Sequence, residues 1–136
     1  MDSIEWTDEF SVGIPLIDQQ HRKLVTMINA MITNSAAKVY SETVSDVLTE
    51  MTRYAQEHFA TEEQLLSENG YPLLENHRQS HKEYRRKTVD LCTATTVGAE
   101  VVPQVMLNYL YNWWQEHILQ EDMKYKSFFA ERTETP

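Results

Sequence analysis

The sequence predicts an all-α protein: an up-down-up-down antiparallel four-helix bundle with an ordered N-terminal arm. Apolar residues recur at three- and four-residue steps through four long segments, which is the pattern of helices that bury one face. We find no convincing strand-like alternation over four or more residues. The chain, residues 1–136, is the length of one domain, and short connections between its helices favour antiparallel neighbours.

The N-terminal segment, residues 1–16, is expected to form a non-helical arm that folds over the bundle. It carries Trp6, Phe10 and Val12 ahead of a Gly13-Ile14-Pro15 turn, a combination typical of an ordered loop. The first helix is predicted over about residues 18–35, with Asp18 as its N-terminal cap.

Three further helices follow from similar signals. The second is predicted over about 41–68, because Asn69-Gly70 is a helix-stop signal. The third is predicted over about 72–93, before the break at residues 95–98. The fourth is predicted over about 100–129, with Pro103 suited to its first turn.

Composition excludes several classes of function. The formal net charge is −9, from 21 acidic and 12 basic side chains, and no basic run could grip phosphates, so we expect no nucleic-acid partner. The apolar stretches are too short to span a membrane, and the N-terminus lacks the features of a signal peptide. We therefore expect a cytoplasmic protein without a membrane partner. The single cysteine, Cys92, cannot form an internal disulfide.

All of the histidines fall on the inward stripes of the predicted helices, and one glutamate, Glu62, lies among them. One buried imidazole is easily satisfied by a hydrogen bond, but five such residues on four helices are harder to explain that way. A buried carboxylate without a cationic partner is costly and is commonly coordinated to metal. The histidines are His21, His58, His77, His81 and His117.

The spacing of these residues favours a metal site. His58 with Glu62, and His77 with His81, lie four residues apart, so each pair shares one helical face. His117 and Asp122 lie five residues apart, which a regular α-helix would not aim in one direction. The apolar stripe of the fourth helix slips by one position after His117, and we predict a π-bulge that turns Asp122 inward.

Four segments carry a resemblance to a known family: the chain resembles the bacterial hemerythrins over nearly its whole length. The positions similar to all seven metal ligands of that family hold the expected residue types. The segments are Val12-Gly13-Ile14-Pro15-Leu16-Ile17-Asp18-Gln19-Gln20-His21, His58-Phe59-Ala60-Thr61-Glu62-Glu63, His77-Arg78-Gln79-Ser80-His81 and His117-Ile118-Leu119-Gln120-Glu121-Asp122-Met123-Lys124-Tyr125.

The resemblance implies two iron ions joined by an oxo or hydroxo bridge. His77, His81 and His117 would bind one iron, and His21 and His58 the other. Glu62 and Asp122 would bridge the two. With both irons six-coordinate, this set is one donor short, so the iron with two histidines keeps an open position for dioxygen. The resemblance also implies an apolar ligand pocket, formed by Leu24, Phe59, Trp113 and Ile118, although all four would serve equally as bundle core.

The predicted function is reversible dioxygen binding for oxygen storage, transport or delivery, without catalysis. An oxygen-consuming partner protein would be of unknown identity. Two alternatives stay open. One is an oxygen- or redox-sensing module of a larger signalling protein; the other is a di-iron enzyme acting on peroxide, nitric oxide or ferrous iron. We assign no chemistry to Tyr109, Trp114 or Tyr125, which suit packing or rim positions.

Overall fold

A computed structural model describes residues 2–34 and 36–134 of the chain. In that part, four helices pack as a ring: α1 and α3 each lie between α2 and α4. The helices are α1 (Pro15–Thr33), α2 (residues 42–68), α3 (Leu74–Thr96) and α4 (residues 102–134). The described residues include no β-strand, so the predicted all-α bundle is confirmed.

Two of the helices are not regular α-helices throughout. In α2, the α-helical parts Glu42–Tyr54 and Ala60–Glu68 are joined by a π-helical segment, Ala55–Phe59. In α4, a longer π-helical segment, Trp114–Asp122, joins Val102–Trp113 to Met123–Glu134. Because π-helical hydrogen bonds run from residue i to residue i+5, each segment changes which side chains share a face.

The start of α1 differs from the prediction. The helix begins at Pro15, whose fixed φ and missing N–H suit the first turn, and the arm therefore ends at Ile14 instead of residue 16. Asp18 is inside the helix and is not its cap. Its carboxylate accepts hydrogen bonds from the Ser11 hydroxyl at 2.5 Å and the Val12 backbone N–H at 2.9 Å, so it ties the arm to the helix. The predicted end of this helix, Ser35, lies outside the described residues.

The other boundaries shift by a few residues. Ser41, near which α2 was predicted to start, is the N-terminal cap of the helix, and its hydroxyl accepts a hydrogen bond from the Val44 N–H at 3.3 Å. The end of α3 extends to Thr96, and the hydroxyls of Thr95 and Thr96 donate to carbonyls one turn back. The chain turns at Gly98, where φ is +73°. At its far end, α4 continues past residue 129 through helix-forming residues to Glu134.

The core is divided into two apolar clusters. The larger fills most of the bundle and includes Leu24, Phe59 and Ile118. The smaller, at the other end, includes Ile17, Leu66 and Tyr125. On three of the helices, a buried polar residue lies in the chain between a member of each cluster: His21, Glu62 and Asp122. The bundle therefore contains a polar layer between two apolar ones.

The N-terminal arm is ordered, as predicted, but it is not wholly non-helical, because Asp8–Phe10 form one turn of 3-10 helix. The side chain of Asn29 donates to the Ile4 carbonyl at 2.9 Å and accepts from the Ile4 N–H at 2.8 Å. The rings of Trp6 and Phe10 pack on Trp114, with centroids 6.2 and 5.1 Å away. None of the helices in the described part has both the length and the hydropathy to cross a bilayer.

Candidate metal centre

All seven side chains predicted as metal ligands meet in the polar layer of the bundle. Each helix contributes at least one, and none is more than 3% exposed. Such dense burial of ionisable groups is costly unless they satisfy one another or share a cation. The residues are His21 from α1, His58 and Glu62 from α2, His77 and His81 from α3, and His117 and Asp122 from α4.

Within this layer the donor atoms form two groups that could each hold a metal ion. His21 and His58 belong to one group, and His77 and His117 to the other. Glu62 and Asp122 belong to both, and within each group the donor atoms lie within 4.8 Å of one another. The two groups are therefore joined through shared carboxylates.

The two oxygens of Glu62 face opposite groups. Oε2 lies 3.1 Å from His58 Nε2 and 3.9 Å from His21 Nε2. Oε1 lies 3.1 Å from His81 Nε2, 3.6 Å from His77 Nε2 and 3.9 Å from His117 Nε2. The carboxylate thus presents one oxygen to a pair of histidines and the other to a trio.

Asp122 divides its oxygens in the same way. Oδ2 lies 3.1 Å from His21 Nε2, on the side of the pair. Oδ1 lies 2.8 Å from His77 Nε2 and 3.3 Å from His117 Nε2, on the side of the trio. Two carboxylates that each have one oxygen on either side have the arrangement needed to bridge two cations.

The π-helical segment of α4 explains how Asp122 reaches the centre. The segment includes both His117 and Asp122, and its i to i+5 bonding brings residues five apart onto one face. The predicted bulge in this helix is therefore confirmed, although it extends over nine residues. The π-helical segment of α2, which contains His58, was not predicted, because His58 and Glu62 already share a face in a regular α-helix.

Several polar atoms of this layer lack a hydrogen-bond partner among the residues that the structure describes. The Nε2 atoms of His21, His58 and His117, and Oδ2 of Asp122, are buried without a hydrogen bond of good geometry, although carboxylate and imidazole atoms lie close together. Buried polar atoms nearly always find a partner. A cation among these atoms would supply the missing partner, and imidazole with carboxylate is a donor set that suits iron and similar transition metals.

A comparison with protein-family models decides the family. The hemerythrin HHE cation binding domain matches residues 12–129. The chain belongs to the hemerythrin family. The resemblance predicted from its ligand-bearing segments is confirmed.

Among curated hemerythrin relatives, the chain is 32% identical over 124 residues to a bacteriohemerythrin of Clostridium acetobutylicum, covering 88% of this chain and 96% of the relative. It is 29% identical over 120 residues to a bacteriohemerythrin of Stenotrophomonas maltophilia, covering 88% and 77%. A hemerythrin-like protein of Naegleria gruberi is 26% identical over 121 residues, covering 89% of each chain.

The candidate centre has a second layer of polar contacts, which the sequence analysis did not predict. The Nδ1 atoms of three histidines face side-chain oxygens: His58 faces Gln20 Oε1 at 2.7 Å, His81 faces Glu63 Oε2 at 2.8 Å, and His117 faces Glu121 Oε2 at 3.0 Å. A proton held on Nδ1 leaves Nε2 free to bind a metal. These contacts fix each ring with Nε2 toward the centre.

Tyr125 also contacts the centre. Its buried hydroxyl donates to Glu62 Oε2 at 3.1 Å, the oxygen that faces the pair of histidines. The prediction that this tyrosine serves only for packing is therefore incomplete. The one available signal was its position three residues after Asp122, on the same helical face.

Mutual electrostatics favour the ionised forms of His21, His117 and Glu62, whereas burial lowers the pKa of His58. Burial alone would lower the pKa of His21, but Asp122 and Glu62 outweigh it and raise this pKa to about 9. For His117, burial is likewise outweighed by Asp122, Glu121 and Glu62, and the pKa rises to about 10. Burial would raise the pKa of Glu62, but the surrounding histidines hold it well below its ordinary value. The centre therefore attracts positive charge.

Aromatic side chains border the histidines on the side of the larger cluster. Phe59 stacks on His81 with centroids 3.8 Å apart, and Trp113 stacks on His117 at 4.0 Å. Leu24 and Ile118 are fully buried in the same apolar cluster. Of the four residues predicted as a ligand pocket, Phe59 and Trp113 therefore contact the centre, and Leu24 and Ile118 belong to the apolar cluster that contains them.

Proposed function

We propose that the chain holds two iron ions with an oxo or hydroxo bridge and binds dioxygen reversibly, for oxygen storage, transport or delivery in the cytoplasm. The observation that carries this proposal is the division of oxygens in Glu62 and Asp122. Each carboxylate offers one oxygen to the His21 and His58 pair and the other to the histidine trio. Two metals bridged by two carboxylates account for that arrangement.

The unequal number of histidines defines where a small ligand would fit. His77, His81 and His117 would hold one iron, and only His21 and His58 the other, in addition to the shared carboxylates. The side of the pair therefore has one protein donor fewer and keeps room for dioxygen. When bound, the pair of irons supplies electron exchange with dioxygen, which no side chain of the centre could provide.

The side chains around the centre favour reversible binding. Leu24, Phe59, Trp113 and Ile118 are buried apolar neighbours, and they limit the access of water and protons that would convert bound oxygen irreversibly. The nitrogen donors also outnumber the carboxylates by five to two. Bundles that activate oxygen have the opposite balance, with four carboxylates and two histidines. The donor set thus supports carriage over catalysis.

A sensing role is the second candidate, and one contact favours it. Trp6 and Phe10 of the arm pack on Trp114, the first residue of the π-helical segment that carries His117 and Asp122. A change at the centre that moved this segment would move the arm with it. Hydrogen exchange at the Ile4 N–H, compared between the oxygenated and reduced forms, tests this role.

The deciding experiment is an oxygen titration of the anaerobically reduced, iron-loaded protein, followed by removal of the oxygen. We expect two irons per chain, a visible charge-transfer band that grows with oxygen, and bleaching on deoxygenation through repeated cycles. Rapid irreversible oxidation with release of peroxide would overturn reversible carriage and favour an enzyme or redox sensor. Fewer than two irons per chain would overturn the di-iron centre itself.

A further inference from the structure

The second layer of the centre is not equally charged on its two sides. Two of the histidine trio face carboxylates through Nδ1, at Glu63 and Glu121. The one histidine of the pair with such a contact, His58, faces the neutral amide of Gln20. The remaining two, His21 and His77, have neither a hydrogen bond nor an ion-pair contact at Nδ1 among the described residues, whereas His117 Nδ1 has its ion-pair contact with Glu121 without a hydrogen bond of good geometry. His21 and His77 lie on opposite sides of the centre. The difference in charge between the two sides therefore comes from the Nδ1 contacts of His58, His81 and His117.

Glu63 is fixed in place by groups outside the centre. Its Oε2 lies 2.8 Å from His81 Nδ1, and its Oε1 lies 3.5 Å from the Nε atom of Arg78. The guanidinium of Arg85 lies 4.0 Å from Oε2. These cationic contacts limit the rotation of the carboxylate, so it stays directed at the His81 ring.

Glu121 serves His117 in a similar way. Its Oε2 lies 3.0 Å from His117 Nδ1, and the Ser80 hydroxyl donates to the same oxygen at 3.2 Å. Glu121 directly precedes Asp122, as Glu63 directly follows Glu62. Each bridging candidate thus has an adjacent glutamate whose carboxylate meets a histidine of the trio.

Gln20 directs its amide oxygen toward His58. Oε1 lies 2.7 Å from His58 Nδ1, and the amide nitrogen donates to the Thr61 hydroxyl at 3.4 Å. The side chain is buried. The His58 ring is therefore also oriented by a side-chain contact at Nδ1, but by a group without charge.

This difference has an electronic consequence for any bound metal. An imidazole that donates its N–H to a carboxylate becomes a more basic ligand than one that donates to an amide, because the negative charge favours partial release of the proton. A more basic nitrogen stabilises the more positive oxidation state of a metal on its other side. The trio should therefore favour a ferric ion more strongly than the pair does.

We propose that Glu63 and Glu121 are positioning residues that make the metal held by the trio the easier of the two to oxidise, and that neutral Gln20 keeps the metal of the pair in its reduced form more readily. This inference rests on the proposed di-iron function. Under this proposal, three residues that are not metal ligands determine which of the two metals is oxidised first.

The test is a reductive titration of the iron-loaded protein and of the variants Glu63→Gln, Glu121→Gln and Gln20→Glu. The visible absorbance follows the oxidation state of the irons at each solution potential. Each glutamate substitution should lower the ferric-to-ferrous ratio at a fixed potential by roughly tenfold, which is about 59 mV for a one-electron couple. Gln20→Glu should raise that ratio. Mössbauer spectra of the ⁵⁷Fe-loaded variants should show the glutamate effects at one iron and the glutamine effect at the other.

Glu50→Gln is the matched control, because Glu50 is partly exposed, pairs with Arg53, and lies about 20 Å along α2 from Glu63 at the rise of an α-helix. That separation exceeds a Debye length of about 10 Å at 0.1 M salt, so this variant should leave the potentials unchanged. Equal shifts in Glu50→Gln, unchanged potentials in all variants, or a Gln20→Glu shift in the glutamate direction would overturn the proposal.

Iron content and helical circular dichroism are measured on every variant, and potentials are compared only among those that keep two irons. If one glutamate variant loses iron, the other and Gln20→Glu still decide the question. The outcome is separable from that of the oxygen titration: a wild-type protein with two irons that oxidises irreversibly would refute oxygen carriage while the potentials still test the inference.

Discussion

His77 is a buried residue of the centre whose loss should weaken metal binding. Its Nε2 lies 2.8 Å from Asp122 Oδ1, and its ring is 2% exposed. We expect His77→Ala to lower iron affinity by at least the ten- to hundredfold typical of losing a residue that merely supports a ligand. Metal analysis after gel filtration measures the iron retained. Asn76→Ala, an exposed neighbour, is the control, and an alanine variant at position 77 that kept two irons per chain would contradict the ligand assignment.

Proton release is a second consequence at the residue scale. In the metal-free protein, His21 and His117 have pKa values raised to about 9 and about 10, so both carry a proton at pH 7. A metal must displace these protons, and each one makes the apparent affinity rise about tenfold per pH unit below pH 9. Calorimetric titration of the metal-free protein at pH 7, in buffers of different ionisation enthalpy, counts the released protons. Heats that do not depend on the buffer would refute this expectation.

At the scale of helices, sequence spacing predicted most of the centre. His58 with Glu62 and His77 with His81 met the four-residue spacing of one helical face, and the slipped apolar stripe after His117 revealed the π-helical segment of α4. The π-helical segment of α2 left no such trace, because the spacing of His58 and Glu62 needs no distortion. The early start of α1 was missed because Asp18 has the chemistry of a cap, while the turn at Gly13 and Pro15 determines the boundary.

The second layer could not be predicted from spacing. Gln20, Glu63 and Glu121 adjoin ligands in the sequence and have the appearance of an ordinary solvated face. Their roles depend on ring orientation and on contacts between helices: Gln20 meets a histidine 38 residues away, and Glu63 meets one 18 residues away. Only the packed bundle specifies those partners.

Deletion of single residues tests the π-helical segment of α4. Removing Gln120, which is exposed, leaves three residues between His117 and Asp122. The two are then four positions apart, and a regular α-helix places both on one face. We expect this variant to keep its iron. Removing Asn108, exposed in the α-helical part of the same helix, should rotate the adjoining turns by about 100° and cost iron binding. Equal iron loss in the two variants, by metal analysis, would argue against this role of the segment.

For the whole molecule, the polar layer between the two apolar clusters is expected to lower the stability of the fold when no cation is bound. The five histidines and two carboxylates of that layer are at most 3% exposed, so the metal-free bundle retains buried groups that are incompletely paired. Metal that binds only the folded chain stabilises it by about 2.7 kcal/mol at a hundredfold excess over the dissociation constant.

We therefore expect removal of iron by a chelator to shift urea unfolding to lower concentration, and restored metal to reverse the shift. Far-ultraviolet circular dichroism follows the unfolding, and the His77→Ala variant, which should show a smaller metal-dependent shift than the wild-type chain, is the control. Coincident unfolding curves with and without iron would mean that the apolar clusters alone determine stability.

The sharing of Glu62 and Asp122 between the two donor groups also determines where the chain can tolerate mutation. A change at one of the four histidines in these groups, His21, His58, His77 or His117, removes a donor from one group and leaves the other complete. A change at either carboxylate removes a donor from both at once, so no neighbouring substitution on a single side can restore what was lost. Over many generations, these two acids should therefore be the positions of the centre at which sequence drift is least permitted.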